Sequence, residues 1–414
     1  MSNQHNTEES CAKEGVWVPF DMPELHLLSQ VCQETGVIQI EAVARATQAI
    51  CPYCQRKCVK IHDTRKRKKR DLALRGYRVE LILHKRRFRC LSCHKSFTEP
   101  DQVAGRRRRT THRFREEIGH QACNQAVAQV AKEQQVSAHF VRDCFETVAT
   151  QQIERAGLQI DEQSPLSAPP YLGIDEFARR KGHVYETILC DLEKRQVIEV
   201  CDGRKQAEVT ALLERLDHPE AVKAVSMDMS ASFRPAVQLC LPQAQIVVDH
   251  FHVIQHVMKG FRKVVSSWSH KKESKALLEG KQKLFLLAHE DLTESQQKER
   301  ARLGEQLPDL ETAWQLKEGL RTCYATATVE TAPAELDKWI AQVQQEGPAP
   351  MRQTLSAFKH WRQEILAFFQ FLPTRISNGF VEGKNNRTKA MMRQGYGYRN
   401  RQHLRLRILV GDVA

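Results

Sequence analysis

Between residues 171 and 252, short apolar runs alternate with helical patterns, which predicts a sheet with helices between its later strands. Residues 171–191 are typical of a strand, a turn at Lys181 and Gly182, and a second strand. Residues 195–200 predict a third strand. The pattern then continues with a helix over 206–216, a strand over 222–228, a helix over 232–241 and a strand over 245–249.

Three of these predicted strands end in an acid, namely Asp175, Asp228 and Asp249. A carboxylate that closes a buried strand is costly unless a partner such as a metal ion offsets the loss of water. The element order is that of a ribonuclease-H-like core, in which the first acid lies on the leading strand and the second follows the fourth. Asp175 and Asp228 fall in those places. Asp249, beside His250 and His252, is the rival third carboxylate.

Residues 253–372 have apolar positions at helical spacing and no strand pattern, which predicts an all-α insertion. Trp314 within it is a core residue or, as an alternative, a contact to a flipped base. After the insertion, Ser377 or Asn378 can cap a helix that ends near Gly395.

One face of that last helix carries Glu382, Asn386, Lys389 and Arg393, at intervals of four, three and four residues. A single acid among amide and basic groups suits a helix that sends one carboxylate to a metal while its neighbours hold a nucleic-acid backbone. The alternative is a plain charge cluster of Glu382 with Lys389.

The amino-terminal part predicts a small leader over 1–50, with a helix over 24–31 and a strand over 37–43. Two C-x2-C pairs follow, and paired thiolates at this spacing are typical of a tetrahedral structural zinc site. Rival ligands nearby are Cys58, His62 and His94, and the alternative to zinc is a set of buried free cysteines. The predicted zinc ligands are Cys51, Cys54, Cys90 and Cys93.

Four consecutive arginines, Arg106, Arg107, Arg108 and Arg109, introduce a helical region. A helix over 114–135 and a second over 138–152, capped by Ser137, resemble a helix-turn-helix. His139 and Arg142 then lie on the exposed face of the recognition helix, with Asp143 beside them. The proline-containing stretch 164–170 is a linker by composition.

The net charge of +13 is unevenly distributed. Residues 51–115 hold 22 Lys/Arg against 5 Asp/Glu, so the remainder is mildly acidic. A second basic block, 384–407, holds eight Lys/Arg, including Lys384, and no acid. Such blocks indicate contacts to a polyanion, the alternative being a solvated surface or basic tail.

The thirteen cysteines, an odd number, favour reduced thiols and metal ligation over a disulfide framework. No run of 18 apolar residues and no secretory h-region are present, which predicts a cytoplasmic protein without a membrane partner.

Several short motifs together resemble the ISL-three family of bacterial insertion-sequence transposases. They are the two CxxC knuckles, Arg-Arg-Phe-Arg-Cys, Gly-Ile-Asp-Glu-Phe, Ser-Met-Asp-Met-Ser, Val-Val-Asp-His-Phe-His-Val, Ser-Asn-Gly-Phe-Val-Glu-Gly-Lys-Asn-Asn and Tyr-Gly-Tyr-Arg-Asn. Their order matches the family from about residue 51 to residue 407. The resemblance implies a DDE transposase in which Asp175, Asp228 and Glu382 are the three acids. Asp249 is then structural or supports a ligand.

The resemblance implies a multidomain α/β chain: a zinc-binding module and a helix-turn-helix before a ribonuclease-H-like catalytic core with an all-α insertion. We expect a leader (1–50), the zinc module (51–105), the helix-turn-helix region (106–160), a linker (161–170), the first part of the core (171–252), the insertion (253–372) and the last core helix with a basic tail (373–414).

The implied reaction is two-metal phosphoryl transfer, in which Mg²⁺ or Mn²⁺ held by the three acids activates a water or a 3′-hydroxyl. The implied partners are double-stranded DNA, as transposon ends and target, and further copies of the chain in a dimer or higher assembly at the nucleoid. Two alternatives stay open: a zinc-dependent DNA-binding regulator, and a domesticated or inactive transposase.

Overall fold

The computed structural model describes residues 20–105, 107–180, 182–371 and 376–412. These residues form two compact units, within Met1–Ala149 and Thr150–Ala414. Mixed strands and helices occur in both units, so the expected multidomain α/β organisation is confirmed. Within the described ranges, no helix has the length and apolar character needed to cross a bilayer.

The first unit is built on a five-stranded sheet with the order β1-β2-β6-β5, in which β7 also pairs with β6. A core of aliphatic side chains from β1, β2 and β6 covers one of its faces. The strands of this unit are β1 (Leu25–Cys32), β2 (Val37–Ala44), β3 (Ala49–Ile50), β4 (Lys57–Cys58), β5 (Ile61–Leu74), β6 (Tyr77–Arg89) and β7 (Ser96–Thr98).

The predicted helix over 24–31 is wrong, because this segment is strand β1. Its leucines can serve either a helix or a strand, and antiparallel pairing with β2 decides the outcome. Strand β2 in turn runs parallel to β6, which lies beyond the first cysteine pair. The segment expected as a separate leader therefore supplies two strands to the sheet of the basic module. Residues 1–19 lie outside the described residues.

Three helices complete the first unit: α1 (His112–Asn124), α2 (Val127–Glu133) and α3 (Ala138–Arg155). The predicted first helix is two helices, which separate at residues 125–126. The second prediction is confirmed, since Ser137 Oγ accepts from the backbone N–H of Phe140 (3.1 Å). Apolar residues recur at helical spacing along α3, which predicts that they form its inner face, and all of them are buried or half-buried. This apolar stripe consists of Phe140, Val141, Cys144, Phe145 and Val148.

The hairpin of β5 and β6 is fastened to these helices. The Arg70 guanidinium donates to the backbone carbonyls of Gln134 and Gln135 at the carboxyl end of α2. Buried Asp71 accepts from the Thr111 hydroxyl (2.7 Å) and pairs with Arg113. These bonds give the strands and the helices a fixed relation within the unit.

The second unit contains a five-stranded sheet with the order β11-β10-β9-β13-β14. Strands β9, β10 and β11 are antiparallel, whereas β13 runs parallel to both β9 and β14. One helix follows β11 and another connects β13 to β14. A short parallel pair, β8 and β12, forms a separate two-stranded sheet. The elements are β8 (Leu166–Ser167), β9 (Tyr171–Arg180), β10 (Val184–Asp191), β11 (Gln196–Asp202), α4 (Gln206–Leu213), β12 (Leu216–Asp217), β13 (Ala224–Met227), α5 (Phe233–Cys240) and β14 (Gln245–Val248).

All five predicted strands and both predicted helices of this region are confirmed within a few residues. Gly182 has the positive φ (+79°) that the predicted turn requires, while Lys181 lies outside the described residues. The predicted linker is different, because Leu166 is buried in the main core and forms part of β8. Its prolines restrict the chain without separating it from the fold.

The described part of the predicted insertion is helical, and its first helix begins at His250. Trp314 is 8% exposed within the core, which favours the core interpretation over base contact. The helices are α6 (His250–His270), α7 (Lys272–Leu278), α8 (Lys283–Leu286), α9 (Glu294–Gln306), α10 (Pro308–Thr326), α11 (Ala332–Glu346), α12 (Ala349–Arg352), α13 (Leu355–His360) and α14 (Arg362–Gln370).

Two more helices, α15 (Gly379–Gln394) and α16 (Arg401–Val410), return to the sheet of the second unit. Helix α15 packs on β9 and α16 packs on β11. The side chain of Arg405 on α16 is fully buried and forms two bonds to Glu199 on β11, at 2.5 and 2.8 Å. The predicted basic tail is thus a packed helix whose charge is neutralised from the sheet.

Candidate functional site

Asp175 lies in the middle of β9 and not at the end of its strand as expected, because β9 continues to Arg180 in its pairing with β10. Asp228 directly follows β13, the neighbouring parallel strand. The register pairs Ala224 with Tyr171 and Ser226 with Gly173. Continuing that register by two residues sets Asp228 opposite Asp175. Adjacent strands are about 4.8 Å apart, so the two carboxyl groups share one region of the sheet.

The Asp175 carboxylate is buried and hydrogen-bonded. Its Oδ1 accepts from the backbone N–H of Glu176 (2.7 Å) and its Oδ2 from the Asn385 side chain (2.7 Å). Burial raises the pKa of Asp175 to about 6, and the nearby charge of Asp228 adds to this rise. The bond from Glu176, the proximity of His252 and the bond from Asn385 act in the opposite direction.

Asp228 lies in similar surroundings. Burial also raises the pKa of Asp228, while His252 opposes the rise and the Glu176 carboxylate adds to it. Its Oδ1 is buried and has no hydrogen-bond partner among the described residues. The Glu176 carboxylate is thus close enough to influence Asp228, and it is paired with Arg204.

Helix α15 approaches β9 where the strand carries a glycine. A side chain at Gly173 would collide with Val381, since an added Cβ would lie 2.6 Å from its Cγ2. The amide of buried Asn378 donates to the backbone carbonyl of Ile174 (2.9 Å). Together with the Asn385 bond to Asp175, these contacts bring the first two turns of α15 against the acid-bearing strand.

Glu382 is half-buried on the same helix, one turn before Asn385. It lies at the margin of the face that packs on β9, which is formed by Val381, Asn385, Thr388 and Met392. The helix therefore brings Glu382 to the side of the sheet that holds Asp175. The three acids do not, however, form a closed cluster. Among the described residues, four cysteines are the only group of possible metal ligands whose atoms all lie within 4.8 Å of one another.

Asp249 occupies the equivalent register position after β14 but lies in different surroundings. It is 1% exposed, and its Oδ1 lies 3.4 Å from His250 Nδ1. Neither carboxylate oxygen has a hydrogen-bond partner among the described residues. Its negative charge contributes, after burial, to the raised pKa of Tyr324. Asp249 thus faces residues of the helical insertion.

Cys51, Cys54, Cys90 and Cys93 form the closed cluster. Two of the Sγ–Sγ distances are 3.6 Å (Cys51 to Cys93) and 3.5 Å (Cys54 to Cys90). A tetrahedral zinc with Zn–S bonds of about 2.3 Å needs sulfurs about 3.8 Å apart, so the arrangement fits. Backbone N–H groups of Cys93 and Ser92 lower the pKa of Cys90 to about 6, which favours the thiolate.

The rival zinc ligands are outside this cluster. His62 and His94 are exposed, and Cys58 is buried beside the cluster without completing it. The apolar core around the cysteines is small; its buried members are Ala49, Cys51, Cys58, Phe88, Cys90 and Phe97. A module with so small an apolar core needs additional stabilisation, such as a bound metal ion.

The predicted DNA-contact residues are mostly at the surface. Arg107, Arg108 and Arg109 are exposed, as are His139 and Arg142 on α3, whereas Arg106 lies outside the described residues. Asp143 is only half-exposed and pairs with Arg115. On α15, the predicted contacts Asn386, Lys389 and Arg393 are exposed.

Lys384 differs from this expectation. It is half-buried and paired with Asp412, so its charge is already used within the fold. Arg401 bonds Glu186 and Glu162, as Arg405 bonds Glu199. The acidic partners of these cations lie outside the basic block 384–407, so the sequence of the block alone shows no compensating acid.

Asn378 and Asn385 link α15 directly to β9, and neither contact was predicted from the sequence. A signal was present: Asn378, Val381 and Asn385 are spaced three and four residues apart, which puts two amides on an inward helix face. A buried amide requires partners, and the partners are on β9.

Comparison with known proteins follows this geometry. A family model of DDE transposases of the ISL-three type, described as transposase, matches residues 172–408. A model described as the zinc-finger of transposase IS204/IS1001/IS1096/IS1165 matches residues 47–93.

Individual relatives agree. The transposase for insertion sequence element IS1001 of Bordetella parapertussis is 30% identical over 370 residues, which cover 87% of this chain and 87% of the relative. The transposase for insertion sequence element IS1557 of Mycobacterium tuberculosis is 24% identical over 260 residues, 56% of this chain and 58% of the relative. The sequence motifs, the cysteine cluster and the matched regions lead to one assignment: this chain belongs to the ISL-three family of insertion-sequence transposases.

Proposed function

We propose that this transposase binds the terminal repeats of its element on nucleoid DNA. It then cleaves and joins DNA strands by metal-dependent phosphoryl transfer at Asp175, Asp228 and Glu382. The observation that supports the proposal is the position of Asp175 and Asp228 on or directly after the adjacent strands β9 and β13, together with the packing on β9 of α15, the helix that carries Glu382. A dimer or higher assembly on paired ends belongs to the same proposal.

We infer that the sheet of the second unit is a ribonuclease-H-like core. Its order, β11-β10-β9-β13-β14, supports this inference, because three antiparallel strands are followed by two that run parallel to the first. Helices α6 to α14 lie between the second and third acids in the chain, as an all-α insertion would.

The donor set suits a hard divalent cation such as Mg²⁺ or Mn²⁺. Asp228 Oδ1 is buried without a partner among the described residues, and Asp175 is held by a neutral amide. Carboxylate oxygens are the ligands that such ions prefer, and a bound ion would polarise the phosphate and lower the pKa of a bound water. Glu382 would complete the set from α15.

We further propose that zinc stabilises the cysteine module and that α1, α2 and α3 act as a helix-turn-helix. The turn between α2 and α3, capped by Ser137 before the exposed His139 and Arg142, supports the second proposal. The exposed arginines 107–109 would contact phosphates nearby.

The test is cleavage of a duplex that carries the end of the element, in the presence of Mg²⁺. We expect Glu382→Gln to bind this DNA as the unaltered protein does and to cleave it below detection, because a neutral amide cannot replace the anionic oxygen. A gel-shift titration and a strand-cleavage time course measure the two properties.

Glu346→Gln, at an exposed glutamate near the end of α11, is the matched control and should cleave normally. Normal cleavage by Glu382→Gln would remove this residue from the site. Metal-independent binding without cleavage by the unaltered protein would instead favour a DNA-binding regulator.

A further inference from the structure

Helix α15 ends in a turn with an unusual residue. The backbone N–H of Tyr396 donates to the carbonyl of Arg393 (3.1 Å), and that of Gly397 donates to the carbonyl of Met392 (2.8 Å). This pair of bonds defines a Schellman cap, in which the residue after the C-cap is left-handed and is usually glycine. Here that residue is Tyr396, with a φ of +54°.

The fold gains nothing from a tyrosine at this position. A left-handed backbone is strained for a residue with a Cβ, and packing usually offsets such strain. The Tyr396 side chain is 100% exposed, so no packing does so. Local strain without a return in stability is typical of a position that serves binding.

The turn itself is fixed. Tyr398, two residues onward in the same motif, is half-buried, and its ring would contact a side chain added at Gly395. Burial raises the pKa of Tyr398, and Arg407 opposes that rise. Of the two tyrosines, one therefore anchors the turn and the other projects from it.

Three exposed cations lie within seven residues of Tyr396 in the sequence. Lys389, Arg393 and Arg399 are exposed and have no ion pair among the described residues, in contrast to Lys384 and Arg401. Residues 383–411 contain no acid. An exposed aromatic ring among unpaired cations suits a nucleic-acid strand, with the cations on phosphates and the ring on a base.

Stacking on a ring requires an open base face. In a duplex, neighbouring bases cover both faces, so a tyrosine can stack only on an unpaired or flipped base. Fourteen residues separate Glu382 from Tyr396, which corresponds to about 21 Å of helix and to about six nucleotides of a strand.

We propose that Tyr396 stacks on an unpaired base of the DNA strand that lies along α15, while Lys389, Arg393 and Arg399 hold its phosphates. The inference rests on the proposed function, because it places the contact on the strand that the acidic site acts on. It adds a binding site for single-stranded DNA to that function.

The experiment uses the full-length protein and a duplex with a single-stranded oligothymidine tail, with a fully paired duplex for comparison. We expect Tyr396→Gly to bind the tailed DNA roughly tenfold more weakly and the paired duplex unchanged, since a stacked base contributes about that factor. Tyr396→Phe should keep the affinity. The thermal midpoint of Tyr396→Gly should not fall, because glycine suits the left-handed turn.

Photo-crosslinking locates the contact directly. With 5-iodouracil in the tail, irradiation should join the DNA to the peptide that contains Tyr396, and Leu239→Ala, at another exposed apolar residue, should leave the yield unchanged. Equal binding of tailed DNA by Tyr396→Gly would overturn the inference. A change in the oligomeric state of the DNA-free protein on this substitution would also overturn it, because Tyr396 would then contact another copy of the chain. Absence of Mg²⁺-dependent cleavage by the unaltered protein would instead overturn the proposed function.

Discussion

Two sets of candidate metal ligands in this protein differ in how complete they are. The four cysteines already have the separations that a tetrahedral ion needs, whereas the acids Asp175, Asp228 and Glu382 do not form a closed group. The cysteines come from two turns within 43 residues of chain. The acids come from the middle of β9, the end of β13 and a helix that follows them by more than 150 residues.

The difference shows what each site asks of the fold. Each cysteine knuckle is shaped locally, since the backbone closes around it through bonds such as Cys51 N–H to Arg56 C=O (2.9 Å). Burial raises the pKa of both Asp175 and Asp228, and the charge of Asp228 adds to the rise at Asp175. The protein can therefore preform the cysteine site, while the acidic site needs its ligand to converge.

The largest expected effect separates the two sites. Removing zinc by chelation, or replacing one ligand as in Cys90→Ser, should unfold the cysteine module and abolish binding to terminal DNA. Structural zinc contributes about 10 kcal/mol or more to small modules, and the core around these cysteines cannot replace it. Limited proteolysis should show new cleavage within residues 51–93, and a gel shift should show the loss of binding.

Cys32→Ser is the matched control, because Cys32 is an exposed thiol of the same unit. It should change neither property. Full DNA binding by Cys90→Ser would mean that the module folds without its metal.

A smaller effect concerns the amide that holds the first acid. Asn385→Ala removes the 2.7 Å bond to Asp175 Oδ2, so the carboxylate loses its fixed orientation. We expect Mg²⁺ affinity to fall by roughly 10- to 100-fold, as for other residues that orient a ligand. Calorimetric titration of Mg²⁺ checks this without relying on catalysis. Gln394→Ala, at an exposed position of α15, should bind Mg²⁺ normally; equal affinity in both variants would contradict the role of Asn385.

The smallest expected effect is on stability without divalent ions. The folded protein raises the pKa of Asp175 from 3.8 to about 6, so the folded state binds this proton more tightly than the unfolded state. Its contribution to the free energy of unfolding therefore falls as pH rises from about 4 to about 6, on the order of 1–3 kcal/mol.

Asp175→Asn has no such ionisation. The thermal midpoint of Asp175→Asn minus that of the unaltered protein should be a few degrees larger near pH 7 than near pH 4. Added Mg²⁺ should raise the midpoint of the unaltered protein and leave the variant nearly unchanged. An identical midpoint difference at both pH values would refute the cost of ionising Asp175.

The sequence predicted well where the information is local. Apolar runs ending in Asp175 and Asp228 located two strands of the second unit, and the spacing of the cysteines located their cluster. Stripe residues of α3 such as Val141 and Phe145 are buried as expected. In each case a short window contains the whole physical cause.

The prediction failed where partners are distant. Strand β1 owes its conformation to β2 and to the sheet beyond it, which no window over 24–31 contains. Lys384, a predicted DNA contact, pairs with Asp412, which lies outside the basic block 384–407. The side-chain amides of Asn378 and Asn385 have their hydrogen-bond acceptors on β9, about 200 residues earlier.

Helix α16 has a consequence for the order of events during synthesis. Buried Glu199 on β11 receives Arg405 from this helix, and the backbone N–H of Val197 donates to Asp412 (2.8 Å). Until residues 401–412 have been translated, Glu199 lacks Arg405 and keeps Arg215 as its charged partner, and the backbone N–H of Val197 lacks its acceptor. The sheet of the second unit therefore gains its full set of contacts only after almost all of the described sequence has been translated.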